Sequence, residues 1–127
     1  MATASRETTV FIVDDDEAVR DSLQILLELH GHATEIYEST DDFVRHYRRP
    51  RRGCLILDQH LPMTTGLDFM ASAAGQTLGI PVLLLTGHGD AQLKNRALDV
   101  GVAAYLDKPA SEQALLTAID RLLANGA

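Results

Sequence analysis

Short apolar runs rich in branched residues, separated by stretches with helical spacing, constrain this chain more than any other feature. Val10-Phe11-Ile12-Val13, Leu55-Ile56-Leu57, Val82-Leu83-Leu84-Leu85 and Ala104-Tyr105-Leu106 show no polar alternation. That is the pattern of strands covered on both faces, as in a parallel sheet flanked by helices. Each run also ends on polar residues: Asp14-Asp15-Asp16, Asp58, Thr86 and Asp107-Lys108-Pro109. The carboxyl ends of parallel strands lie along one edge, where open α/β folds place their ligands. Asp14, Asp15, Asp58, Thr86 and Lys108 are therefore expected to meet in one small site.

The intervening segments supply the rest of a five-unit β/α pattern. The first strand is expected over about Thr9–Val13. A helix follows from about Glu17 to His30, with Asp16 as N-cap, an apolar face of Val19, Leu23, Leu26 and Leu27, and Gly31 as its stop. A weak second strand spans Ala33–Tyr37, and Ser39-Thr40-Asp41-Asp42 signals the start of a helix carrying Phe43 and Tyr47. The third strand is expected over Cys54–Asp58 and a third helix over Gly66–Ala74. The fourth strand runs from Pro81 to Thr86, since proline is tolerated at a strand start. A polar fourth helix then runs from Asp90 to Val100, with Leu93, Ala97, Leu98 and Val100 to pack. The last unit is a strand over Ala103–Leu106 and a helix capped by Ser111 and ending near Leu123. Right-handed crossovers turn this order into a doubly wound, three-layer α/β/α sandwich.

Bulk properties narrow the function. The 127 residues suffice for one domain with a single core. No apolar run is long enough to cross a membrane. Residues 1–8 lack the apolar stretch of a signal peptide and are expected to form a flexible tail, with the domain covering 9–127. The net charge of −7 argues against general nucleic-acid binding. Arg45, Arg48, Arg49, Arg51 and Arg52 lie together without an acid among them, but at the amino end of the third strand, opposite the expected site. They are read as a solvated helix end and loop. The single cysteine, Cys54, fits a reducing, cytoplasmic setting and is read as a small buried apolar residue.

Three carboxylates at converging strand ends repel one another and call for a cation. Aspartate oxygens suit Mg²⁺, which takes one or two protein carboxylates together with phosphate oxygens. An aspartate beside such a metal can act as a nucleophile toward phosphorus. A lysine and a threonine hydroxyl would then serve the equatorial oxygens of a transferred phosphoryl group.

These pieces together resemble the receiver domain of bacterial response regulators over about Thr9–Leu123. The resemblance is carried by Ile12-Val13-Asp14-Asp15-Asp16, Asp58 with Pro62 and Gly66, Leu85-Thr86-Gly87, and Tyr105-Leu106-Asp107-Lys108-Pro109. Thr86-Gly87-His88-Gly89-Asp90 is further similar to the FixJ-like branch, whose members often carry a helix-turn-helix output domain. The resemblance implies a flavodoxin-like fold with strand order 2-1-3-4-5. It also implies Asp58 as phosphoacceptor for a sensor histidine kinase or phosphotransfer protein, with Mg²⁺ (or Mn²⁺) as cofactor. Asp15 would be a direct metal ligand, Asp14 would act through water, and the His60 backbone carbonyl would join Asp58 in the metal's shell. Lys108 would bind the phosphoryl group, Thr86 would be the switch hydroxyl and Tyr105 the switch aromatic. The Lys108–Pro109 bond would be cis.

The implied switch is a population shift. Thr86 moves to a phosphoryl oxygen, Tyr105 fills the space behind it, and the face of fourth helix, fifth strand and fifth helix changes. That face would dock a downstream effector, an output domain or a second copy in a phosphorylation-dependent homodimer. No DNA-reading element is expected within these residues.

Two departures from the family pattern stand out. Ala110 occupies a position where a bulky apolar residue is usual, so packing beneath the last helix is expected to differ. His60 and His88 stand at the two variable positions that flank the phosphoryl group. Either they are solvent-facing loop residues, or they tune its lifetime by controlling water, with a pH dependence near neutrality. Three other functions each meet an obstacle in the sequence. A haloacid-dehalogenase-like phosphatase would need an aspartate where His60 stands. A flavin carrier would need a phosphate loop after the first strand. A docking module that works without phosphorylation would not need all five site residues.

Overall fold

The computed structural model describes residues 8–48, 52–87, 89 and 91–125. Five parallel strands alternate with helices in the order β1 (Thr8–Val13), α1 (Glu17–Leu29), β2 (Ala33–Tyr37), α2 (Thr40–His46), β3 (Arg52–Asp58), α3 (Gly66–Ala71), α4 (Ala73–Gln76), β4 (Val82–Thr86), α5 (Ala91–Asp99), β5 (Ala104–Asp107) and α6 (Glu112–Asn125). The sheet order is β2-β1-β3-β4-β5, the expected doubly wound arrangement. β1 pairs with β3 from Thr8↔Arg52 to Val13↔Leu57, and β3 with β4 up to Asp58↔Leu85. That register brings the ends of the three central strands to one edge.

Side chains alternate across a strand, so each apolar run feeds two cores. Val10, Ile12, Cys54, Ile56, Leu83 and Leu85 pack under α1 and α6 against Leu27, Leu115 and Ile119. Phe11, Val13, Leu55, Leu57 and Leu84 pack on the other face against Phe43, Leu67, Phe69 and Ala97. Phe11, Phe43 and Tyr47 form an aromatic cluster, with ring centroids 5.6 Å apart for Phe11–Phe43 and 5.0 Å for Phe43–Tyr47.

Local signals act as read. Asp16 caps α1 by accepting the amides of Ala18 (2.9 Å) and Val19 (3.4 Å), and Ser39 caps α2 through the amide of Asp42. Gly31, at φ +87°, ends α1 while its own amide bonds Glu28 and that of His32 bonds Leu27.

The third helix departs from expectation. The segment read as one helix over 66–74 is broken at Ser72, which is extended (φ −73°, ψ 166°) and begins α4. Its hydroxyl caps the new helix at the amide of Gly75, and a Cβ at Gly75 would collide with the Phe69 carbonyl. The serine thus offers the backbone an alternative to continuing the helix, and the glycine permits the close return. The face read as fourth helix, fifth strand and fifth helix is therefore α5, β5 and α6. On α5, Ala97 is buried, and Leu93 and, just past the helix end, Val100 pack against the same core, but Leu98 is 62% exposed, contrary to expectation. Positions 93, 97 and 100 form one helical stripe and 98 lies off it. β1 and β3 begin at Thr8 and Arg52, slightly before the expected starts, while β5 ends at Asp107 and α6 at Asn125, slightly beyond the expected ends. Among the described residues no helix is long and apolar enough to cross a membrane.

Candidate functional site

The β1, β3 and β5 ends assemble an acidic cluster around one lysine. Asp14 and Asp58 are only 2% and 3% exposed, whereas Asp15 faces solvent. One carboxylate oxygen from each of the three lies within 4.8 Å of the others. Lys108 Nζ donates to Asp58 Oδ1 at 2.9 Å and stands 3.6 Å from Asp14 Oδ2. The Asp58 oxygen also accepts the His60 amide at 3.2 Å, and Asp14 Oδ1 accepts that of Asp16 at 2.9 Å. Asp14 Oδ2 is buried, and among the described residues none donates a hydrogen bond to it.

The charges are held unequally. Burial, with the neighbouring Asp58 charge, keeps the Asp14 carboxyl above its ordinary range, against the pull of the Asp16 amide and Lys108. Burial works to lower Lys108, but its hydrogen bond to Asp58 and the charges of Asp14 and Asp58 outweigh that and raise it. A buried oxygen with no donor among the described residues, beside two further carboxylates, suits a hard divalent cation with oxygen ligands.

Thr86 ends β4 fully buried, and its hydroxyl lies 3.2 Å from His60 Nε2. Tyr105, on β5, packs against the core, with its hydroxyl buried against Gly89, where any Cβ would overlap it. The Lys108–Pro109 peptide is cis. His88 lies outside the described residues, as do Arg49 and Arg51 of the basic cluster. Ala110 lines a cleft of about 620 Å³ between α1 and α6, together with Val19, Leu23, Leu85, Pro109 and Leu115.

Two supporting residues carried no sequence signal. Arg20, on α1, donates to the Asp14 carbonyl at 2.7 Å. Gln59 accepts the amides of Gly66 and Leu67, through its carbonyl and its side chain respectively, and so ties the loop after Asp58 to α3. Both act through geometry that spacing along the chain does not encode.

Residues 10–120 match the response regulator receiver domain family. The chain belongs to that family. This receiver domain is 32% identical over 113 residues to the transcriptional regulatory protein FixJ of Rhizobium meliloti, covering 89% of this chain and 55% of that protein. It is 34% identical over 116 residues to the response regulator TodT of Pseudomonas putida, covering 91% and 51%. The chain thus spans about half the length of these curated relatives. The response regulator StyR superposes with a TM-score of 0.86 at 38% identity, over 94% of this chain and 61% of that one. FixJ-N superposes with a TM-score of 0.83 at 30% identity, over 94% and 95%.

Proposed function

We propose that this receiver domain is a phosphorylation-activated switch with Asp58 as its phosphoacceptor. A sensor histidine kinase or phosphotransfer protein donates the phosphoryl group. The P–N bond of its phosphohistidine breaks, a P–O bond to an Asp58 oxygen forms, and the imidazole leaves to take up a proton. The observation that carries the reading is the buried Asp58 carboxylate, paired at 2.9 Å with Lys108 and bordered by two further carboxylates.

Asp14, Asp15, Asp58 and the His60 carbonyl would hold Mg²⁺ (or Mn²⁺), which supplies charge neutralisation between carboxylate and phosphoryl oxygens. Lys108 moves from Asp58 to a phosphoryl oxygen as the acceptor loses its charge. The Thr86 hydroxyl donates to another phosphoryl oxygen, and Tyr105 occupies the volume behind it. His60, together with His88 as the family pattern implies, would govern the approach of water. The altered face of α5, β5 and α6 then docks an effector, an output domain or a second copy. The domain works in the cytoplasm, turns over no metabolite and itself binds neither nucleic acid nor membrane.

Intact mass after treatment with acetyl phosphate tests this. A gain of one phosphoryl group that requires Mg²⁺ and is absent from Asp58→Asn is the expected result. No gain by the unaltered chain under either condition would refute it.

A further inference from the structure

Helix α2 and the broken pair α3–α4 enclose a groove whose charge changes sign along its length. It consists of two adjoining hollows of about 540 and 180 Å³, which share Val44 of α2 and Ala74 of α4. Asp41, Arg45 and Asp68 line the larger hollow and Arg48 the smaller. Both α2 and α3 follow parallel strands and run back from the carboxyl edge of the sheet, so their first turns lie at the same end. Asp41 and Asp68 stand in those first turns, whereas Arg45 is in the last turn of α2 and Arg48 lies just beyond it. The groove is therefore acidic where the helices begin and basic where α2 ends. Between the two, Val44 is 41% exposed.

We propose that this groove is an interface between two copies of the chain, each laying α2 into the other's groove about a two-fold axis near Val44. A two-fold contact sets one patch against itself, so the patch must be its own complement. A groove of a single sign would repel its copy. This one, turned end for end, sets acid against arginine. Asp41 lies about one helical turn before Val44 and Arg48 about one turn after it. Antiparallel pairing of the two α2 helices thus places Asp41 of each copy opposite Arg48 of the other, with the valines meeting at the axis. The arginines are available for this. Arg45 has Asp42 at 3.7 Å, an exposed pair that water screens, and Arg48 donates to the carbonyls of Arg45 and Tyr47 while keeping its charge. The net charge of −7 opposes self-association in general. A contact is favoured where arginines gather, and Arg45, Arg48 and Arg52 cluster on this part of the chain.

The interface does not rest on the phosphoacceptor reading. Phe43 seats α2 against Phe11 of β1 and Tyr37 of β2, and β2 and β5 are opposite edges of the sheet. The face of α5, β5 and α6 stays free in such a dimer.

The test is sedimentation equilibrium of the full chain, without phosphodonor, from about 10 µM to about 1 mM. A patch this small predicts a weak dimer, with a dissociation constant of about 0.1–1 mM. Asp41→Lys and Arg48→Glu alter exposed side chains, so the fold should survive each. Either reversal creates two like-charge contacts per dimer and should weaken association by about tenfold or more. An equimolar mixture of the two variants restores both attractions, and should form a heterodimer about as tight as the parent dimer. Val44→Glu, independent of that pair, should also abolish the dimer by facing its own copy at the axis.

A parent chain that is monomeric at about 1 mM would overturn the proposal. So would a parent dimer that either charge reversal or Val44→Glu leaves intact, because the contact then uses another face. Variants that weaken the dimer singly but fail to associate when mixed would overturn it as well.

Discussion

Replacing Lys108 by methionine isolates the charge balance of the site. In the native fold the ammonium lies 2.9 Å from Asp58 Oδ1 and 3.6 Å from Asp14 Oδ2. Methionine keeps most of the stem and removes the charge, leaving two buried carboxylates facing each other. Oxygens of these groups lie within 4.8 Å. Two unit charges at that distance repel by about 3.5 kcal/mol at an effective dielectric constant of about 20. Lys108 is itself 31% exposed, so water recovers part of the screening and a loss of about 1–3 kcal/mol is expected.

The pH dependence follows from the two shifts. Lys108 is raised above 10.5, so its contribution is complete at neutral pH and is lost only as pH climbs through that raised value. Asp14 is raised above 3.8, so the repulsion grows as pH rises through its folded value and vanishes in acid. Thermal denaturation followed by circular dichroism should therefore show Lys108→Met well below the parent at neutral pH and converging on it in acid, with each kcal/mol worth about 3–5 °C. Mg²⁺ should narrow the neutral-pH gap by supplying the missing positive charge. A variant as stable as the parent at neutral pH without metal would refute the reasoning.

Three other outcomes follow from the geometry. Asp14→Asn removes a carboxyl whose ionisation costs stability as pH rises above 3.8. The metal-free variant should melt above the parent at neutral pH, and Mg²⁺ should raise the parent's midpoint but not the variant's. Gly66→Ala places a Cβ 2.7 Å from the Leu84 side chain and 2.9 Å from the Asp58 carbonyl. A loss of about 1–3 kcal/mol in urea denaturation is expected, because neither close-packed neighbour can yield freely. Burial pushes the Cys54 thiol up to about 12, so an aromatic disulfide reagent at pH 8 should leave the folded chain untouched and titrate one thiol after denaturation.

The sheet was legible because its strands are short, branched and apolar, and because each ends on a group that chemistry would place at an edge. Asp14, Asp58 and Lys108 could be brought together on paper from strand order alone. The broken third helix was not legible. Gly66–Ala74 carries acceptable helix formers, and the break depends on Ser72 finding the Gly75 amide and on Gly75 passing close to Phe69. Leu98 is apolar, but its angular position on α5 turns it to solvent. Arg20 and the His60–Thr86 contact lay beyond sequence reasoning, since both depend on where a loop or helix turn aims a long side chain. Ala110 was visible as a small residue, but only the fold sets it in a cleft beside Lys108.

The most direct measurement traps the modification where it forms. Borohydride reduces an acyl phosphate at its carbonyl and converts the carrying aspartate to homoserine, which survives proteolysis and is located by peptide mass. After treatment with acetyl phosphate and Mg²⁺, the account predicts this conversion at Asp58 and nowhere else, and none when Mg²⁺ is withheld. Conversion at Asp14 or Asp15, or an unmodified Asp58 after full treatment, would contradict it.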